Sequence, residues 1–340
     1  MLNPQDNEEG FNYDLKEIGP ISDPQDTIIL ANQSTLPDIL PHEINSALPD
    51  IGSMLNDFIR IEGVIAHARH SIVYKAFHQK LGMEVAVKMP NLQDAQQIYV
   101  LQSFYENEVS ILAKLIHNNI SRIVYFDQFN DLPYIVTQYV EGKSLTEVMK
   151  AHQMQPQVGY CLKVASTTLS ALNFAWKRGI IHRDIKPDNL ICRPDGQLTV
   201  IDWGLAAERD EYLPVHSERN MYRYLGCPAF QAPELARPGG RFDSRADIYS
   251  LGAMMYFLVT GKYPFNYTKV EQVLYAHLHY EPIPPHELVA KPGMLKLSDL
   301  IMRMMAKNPN HRPSIREMQE EFTLISEVVA QPRTRYLFGQ

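Results

Sequence analysis

The stretch IIHRDIKPDNLIC, Ile180–Cys192, sets His182, Arg183, Asp184, Lys186 and Asn189 between the apolar runs II and LIC. So many polar groups are costly to desolvate without partners, so the loop is expected to face a cleft. There Asp184 can accept a proton from an attacking hydroxyl, Lys186 can neutralise a moving phosphoryl group, and Asn189 can offer an oxygen to a metal. The alternative is a well-bonded surface turn. Asp202, in LTVIDWG, weighs against that alternative: it follows an apolar strand, and Gly204 permits a sharp change of direction. A hard cation such as Mg²⁺ takes one or two protein oxygens, which Asn189 and Asp202 would supply.

Outward from this loop the chain changes character twice. From Phe58 the runs FIRIEGVI, SIVYKAFH and EVAVKM read as three antiparallel strands, the last two joined by a turn at Leu81-Gly82. In LQSFYENEVSILAKLI, Phe104, Ile111, Leu112, Leu115 and Ile116 recur at helical spacing. RIVYFDQF and PYIVTQYV add two strands, giving a five-stranded sheet with one helix. Beyond Gly142 the chain turns helical, starting at SLTEVMKAH, where Ser144 and Glu147 form a capping box. The fold class is therefore α+β: a small β lobe over 58–137, a connector over 138–143, a larger helical lobe over 144–326 and a tail over 327–340. Ligands favour such interlobe clefts.

Residues 1–57 carry eleven Asp and Glu against Lys16 alone, whereas the rest has a net charge of +3. They are rich in Pro, Asp, Asn and Gln without sustained periodicity, and read as a solvated, flexible extension. The sharper alternative is an acidic arm that docks on the remainder. The three cysteines, Cys161, Cys192 and Cys227, lack metal-ligand spacing and leave one over after any pairing, so a reducing cytoplasmic setting is expected, or a secreted effector acting in a host cytosol. The longest apolar run, Leu251 to Val259, is far short of a membrane span and reads as a buried helix. No nucleic-acid partner is expected, and the oligomeric state stays open.

Together HRDIKPDN and DWG resemble the protein kinase family, whose corresponding motifs are HRDxxxxN and DFG. The resemblance covers about Phe58 to Leu324, with its parts in the family's order. It implies that Lys88, in VAVKM, contacts the α and β phosphates of ATP and pairs with Glu108; Glu106 is the competing choice. QAPEL supplies Ala232, Pro233 and Glu234, the close of the activation segment. Asp247 would brace the catalytic loop, and Arg312 would pair with Glu234. Lys186, two residues after Asp184, resembles the serine/threonine subclass. The resemblance also implies a nucleotide site of Ile65, Ala66, Ala68, Ser71, Val73, Ala86, Lys88, Thr137, Gln138, Val140 and Asn189, with Thr137 limiting its depth. It implies ATP with Mg²⁺ (or Mn²⁺) and a protein substrate carrying a Ser or Thr acceptor.

The chain departs from the family in four places. The three glycines of the phosphate loop fall on Ala66, Ala68 and Ser71, within IAHARHSIVYKA. A stiffer loop is expected, holding phosphate partly through His67, Arg69 and His70. Cys227 stands where a threonine usually bridges the catalytic Asp and Lys, and a thiol is a weak hydrogen-bond partner. Phe230 replaces a usual tyrosine. Trp203 replaces the Phe of DFG, and its indole N–H is expected to fix one orientation. Arg183 would grip a phosphate on the activation segment, with Ser217 the best candidate beside Tyr212, Tyr222 and Tyr224, or else bond the segment's own carbonyls or carboxylates. Two functions follow: an active kinase, or a nucleotide-binding pseudokinase that acts as a scaffold.

Overall fold

Along SIVYKAFH, half-exposed and buried residues alternate strictly, the signature of a strand with one face on a core and one on a cleft. The computed structural model describes residues 48–67, 71–91, 98–130, 132–151, 157–209, 226–237 and 241–330. Six strands, β1 (Met54–Leu55), β2 (Ile59–His67), β3 (Ser71–His78), β4 (Met83–Pro90), β5 (Ile123–Phe129) and β6 (Leu132–Gln138), form one sheet in the order β1-β2-β3-β4-β6-β5. The described pairings are antiparallel. Ile72, Tyr74, Ala76, Val85, Val87 and Met89 make its buried core face. Val73 opposes Lys88, and Ala86 opposes Thr137.

The five expected strands are present, and β1 adds a sixth. It draws on residues that the charge boundary near 57 leaves in the acidic extension. Side-chain bonding outweighs that boundary: Asn56 Nδ2 donates to Asp127 Oδ2 at 2.5 Å and to the Tyr134 hydroxyl at 2.7 Å, and Leu48 packs on the small-lobe core. Asn56 and Asp57 both adopt positive φ, 47° and 57°, which short polar side chains tolerate best. Residues 1–47 lie outside the described part.

Helix α1 (Ile98–Ala113) buries Ile111 and Leu112 in the same core as the large lobe. It ends before Ile116, which is 64% exposed rather than part of the apolar stripe. The large lobe holds α2 (Leu145–Ala151), α3 (Val158–Trp176), α4 (Arg245–Thr260), α5 (Val270–His279), α6 (Pro285–Leu288), α7 (Met294–Met304) and α8 (Ile315–Ala330). The box before α2 forms as expected: the Ser144 amide donates to Glu147 at 2.7 Å and the Glu147 amide to the Ser144 hydroxyl at 3.2 Å. Helix α4 is buried from Ala246 through Val259, which makes it the lobe's central post. Helix α8 runs four residues past 326, the expected end of the lobe. Among the described residues no helix is long and apolar enough to cross a membrane.

The cleft floor is built from short pieces. β7 (Lys143–Ser144), β9 (Leu190–Cys192) and β10 (Leu198–Val200) form one small sheet, and β8 (Ile180–Ile181) pairs with β11 (Ala207–Glu208). These pairings return the chain to the cleft on either side of Asp184 and Asp202.

Candidate active site

Asp184 is nearly buried, at 7% exposure, and its carboxylate is held from three sides. Oδ2 accepts from Lys186 Nζ at 2.7 Å and Asn189 Nδ2 at 3.0 Å, and Oδ1 accepts from the Cys227 backbone amide at 3.0 Å. The weakness expected from a thiol at Cys227 does not loosen this carboxylate, because the Cys227 main-chain amide holds it. Burial pushes the Cys227 thiol up to about 11, so it stays protonated. Gly226, at φ 88°, makes the approach possible, because a Cβ there would stand 3.0 Å from Asp184 Oδ1 and 3.2 Å from the Arg183 carbonyl.

Above this floor, Lys88 projects from β4 to Glu108 on α1, at 2.8 and 3.1 Å, and to Asp202 Oδ1 at 2.8 Å. Burial alone would lower the Lys88 amine, but Asp202 and Glu108 more than reverse this and hold it well above its ordinary value. Desolvation likewise would raise Asp202, yet the Lys88 ammonium, Lys186 and the Gly204 amide hold it well below the usual carboxylate range. Burial raises Glu108. Glu106, the competing choice, is exposed. At Gly204 a Cβ would come within 2.6 Å of Lys88 Nζ, so a side chain there would push on this pair.

The loop backbone is strained where it turns. Arg183 and Asp202 have φ of 66° and 59°, a left-handed region that is unfavourable for the arginine and that the short polar aspartate tolerates better. Buried Asp247, on α4, holds the first turn: it accepts from the His182 amide at 2.9 Å, the Arg183 amide at 2.8 Å and Trp176 Nε1 at 2.8 Å. Each such bond to a charged group is worth roughly 1.5–3 kcal/mol, which offsets the strain. Arg183 Nε donates to the Leu205 carbonyl at 2.6 Å and Nη2 to that of Ala206 at 3.4 Å, so the arginine does bond the segment's own carbonyls. Asn107 Nδ2, on α1, also donates to Ala206, at 3.1 Å, and Lys114 pairs with Glu208. Tyr212, Ser217, Tyr222 and Tyr224 lie outside the described residues.

Trp203 fills the apolar slot, fully buried with its ring 4.4 Å from that of His182. Its indole N–H meets no acceptor among the described residues, which corrects the expectation that this group orients the ring. Burial of the large ring outweighs an unpaired donor that costs about 1–3 kcal/mol. Farther along, Arg312 binds Glu234 through two parallel bonds of 2.5 and 2.8 Å.

Val73, Ala86 and Lys88 share the cleft face of the sheet, and Thr137 is half-buried beside Ala86. Ile65 is 47% exposed at the cleft mouth, Ala66 and Gln138 are exposed, and Ser71 and Val140 are half-buried. Ala68, Arg69 and His70 lie outside the described residues. Four contributors went unforeseen: Trp176, Gly226, Asn107 and the Cys227 amide. A buried tryptophan N–H usually finds an acceptor, although that of Trp203 does not, and this is the one signal that pointed to Trp176.

A strand-borne lysine paired to a helix glutamate, above a loop that presents an aspartate and an asparagine, defines a protein kinase domain. The protein kinase domain family model matches residues 62–322, and the chain belongs to that family. It is similar to a "Probable serine/threonine-protein kinase" of Clostridium perfringens, 33% identical over 77% of this chain and 37% of the relative. Serine/threonine-protein kinase PknB of Mycobacterium leprae is 31% identical over 76% of this chain and 41% of its own length. Sperm motility kinase 2B of Mus musculus is 31% identical over 75% and 49%. The chain therefore spans less than half the length of these relatives.

Proposed function

We propose that this chain is a serine/threonine protein kinase that transfers the γ-phosphate of ATP to a Ser or Thr hydroxyl of a protein. The observation that carries this reading is the joint placement of Lys186 Nζ 2.7 Å from Asp184 Oδ2 and Lys88 Nζ 2.8 Å from both Glu108 and Asp202. In-line transfer asks for positioning and charge stabilisation more than covalent catalysis, and these groups supply both. Asp184, fixed from three sides, orients the acceptor hydroxyl and takes up its proton. Lys186 faces the transferred group with a fixed positive charge. Lys88, oriented by Glu108, contacts the remaining phosphates.

The residues present fit a divalent cation. Asn189 commits its Nδ2 to Asp184, which leaves its amide oxygen available, and the bonds Asp202 accepts from Lys88 and Gly204 both fall on Oδ1. Asn189 Oδ1 and Asp202 Oδ2 would hold Mg²⁺, or Mn²⁺ in its place, which when bound neutralises charge on phosphate oxygens. Val73, Ala86, Thr137 and Ile65 would line the base pocket, with the Gln138 carbonyl and the Val140 amide facing the adenine. The scaffold reading rested on the missing glycines and on Cys227; with the Cys227 amide holding Asp184, the second reason lapses.

The test is incubation of the purified chain with γ-labelled ATP, Mg²⁺ and a mixed protein substrate, followed by phosphoamino acid analysis. Phosphoserine or phosphothreonine is expected. Label on tyrosine alone, or none above an Asp184→Asn control, would overturn the assignment.

A further inference from the structure

Helix α1 belongs to the small lobe, yet its polar side chains reach the segment that follows Asp202. Asn107, Ile111 and Lys114 recur at i, i+4 and i+7 and so share one face of the helix. Exposed Lys114 meets Glu208 at the surface, where an ion pair contributes little. Half-buried Asn107 makes the more directional contact: its Nδ2 donates to the Ala206 carbonyl at 3.1 Å. Ala206 is fully buried, its amide donates to the Trp203 carbonyl at 2.9 Å, and Ala207 beside it pairs with Ile181 of β8. The main chain on both sides of that carbonyl is therefore fixed. From the catalytic loop, Arg183 Nη2 donates to the same oxygen at 3.4 Å, and the Arg183 amide is in turn held by Asp247 at 2.8 Å. One buried carbonyl thus uses both lone pairs, one on a small-lobe helix and one on the catalytic loop.

We propose, resting on the kinase reading above, that Asn107 is a positioning residue for phosphoryl transfer: by bonding the Ala206 carbonyl it fixes the rotation of α1 and keeps the neighbouring Glu108 against Lys88. Glu108 is buried, with contacts to Lys88 Nζ of 2.8 and 3.1 Å. The turn after Asp202 presses on it, since a Cβ at Gly204 would stand 3.0 Å from Glu108 Oε2. A buried carboxylate is costly unless its partner meets it, so the direction in which α1 aims this side chain matters. Successive residues on a helix point about 100° apart, so a bond made at Asn107 sets where Glu108 faces. Ile111 and Leu112 also pack α1 onto the large-lobe core, but apolar contacts are non-directional and leave small rotations open. Asn107 supplies the direction.

The experiment measures single-turnover transfer from γ-labelled ATP by the full chain as wild type, Asn107→Leu, Glu108→Gln and the double variant. Asn107→Leu keeps the volume of the side chain and removes the donor; transfer should slow roughly three- to tenfold, the contribution of one hydrogen bond. In the Glu108→Gln background the same substitution should cost nothing further, because the group it positions is gone. A merely structural role would slow both backgrounds by the same factor, and that result, or no slowing at all, would overturn the proposal. Hydrogen exchange gives a second readout that needs no transfer. The amides of residues 108–112 should exchange faster in Asn107→Leu by a similar factor, while those of α4 stay as in wild type. Unchanged exchange in α1 would likewise overturn the proposal, whereas faster exchange in a chain whose wild type transfers no phosphate would support the Asn107 anchor and count against the kinase reading alone.

Discussion

The two walls of the cleft are built by different means. The upper wall is regular: Val73, Ala86 and Lys88 stand on adjacent strands, and pleat and register alone fix which face they take. The floor is irregular: Asp184 and Asp202 sit on or beside left-handed residues, and each is held by partners far away in the chain, Cys227 for Asp184 and Lys88 for Asp202. A regular wall tolerates exchange of its side chains provided the alternation survives. An irregular floor depends on single contacts, and main-chain contacts most of all.

The comparison can be broken at four points. At the junction of the walls, Lys88→Met removes the cation that Glu108 and Asp202 share; kcat should fall by about 10²–10³-fold, the cost of losing one preorganised charge-stabilising group. On the floor, Gly226→Ala forces a Cβ against Asp184 and Arg183 and should cost about 10²-fold in kcat, the penalty of a small misplacement, with the ATP KM little changed. Cys227→Ala keeps the amide and should stay within a few-fold of wild type; a collapse equal to that of Gly226→Ala would mean the thiol itself holds the site. In the phosphate loop that the kinase resemblance implies, Arg69→Ala should raise the ATP KM by roughly one hydrogen bond to a charged group, on the order of tenfold, and leave kcat alone. An unchanged KM would leave phosphate holding to the backbone of Ala66, Ala68 and Ser71.

The smallest effect lies away from the cleft. Burial holds His277 near about 3, so below about pH 6.5 the unfolded chain takes up a proton that the folded chain refuses. Stability should therefore fall as pH drops from about 6.5 toward 3, by on the order of 1–2 kcal/mol between pH 7 and 5, and be unaffected by this group above 7. Urea midpoints of wild type and His277→Gln at the two pH values measure it; equal losses in both would place the acid sensitivity elsewhere.

The upper wall was legible in the sequence because alternation carries it: the five strands follow from period and the choice of Glu108 over Glu106 from register, whereas the role of Lys88 came from the resemblance to the kinase family. Asp184, Lys186, Asn189 and Asp202 were legible as residue types gathered between apolar runs. Their supports were not. That Cys227 acts through its amide and that Trp203 goes without an acceptor depend on main-chain geometry across tens of residues, on which side-chain chemistry is silent, whereas the bonding of Arg183 to the segment's own carbonyls was one of the two alternatives the sequence left open. The charge change near residue 57 misplaced the lobe's edge for a related reason: Asn56 belongs by composition to the acidic segment and by its bonds to Asp127 and Tyr134.

The central claim is that Asp184, held in place by Lys186, Asn189 and the Cys227 amide, orients the acceptor hydroxyl for transfer. Single-turnover transfer from γ-labelled ATP, compared between wild type and Asp184→Asn at matched thermal stability, tests it most directly. The variant should bind nucleotide with unchanged affinity and transfer at least about 10²-fold more slowly, as expected for loss of a positioned general base. Equal transfer rates with intact folding would contradict the account.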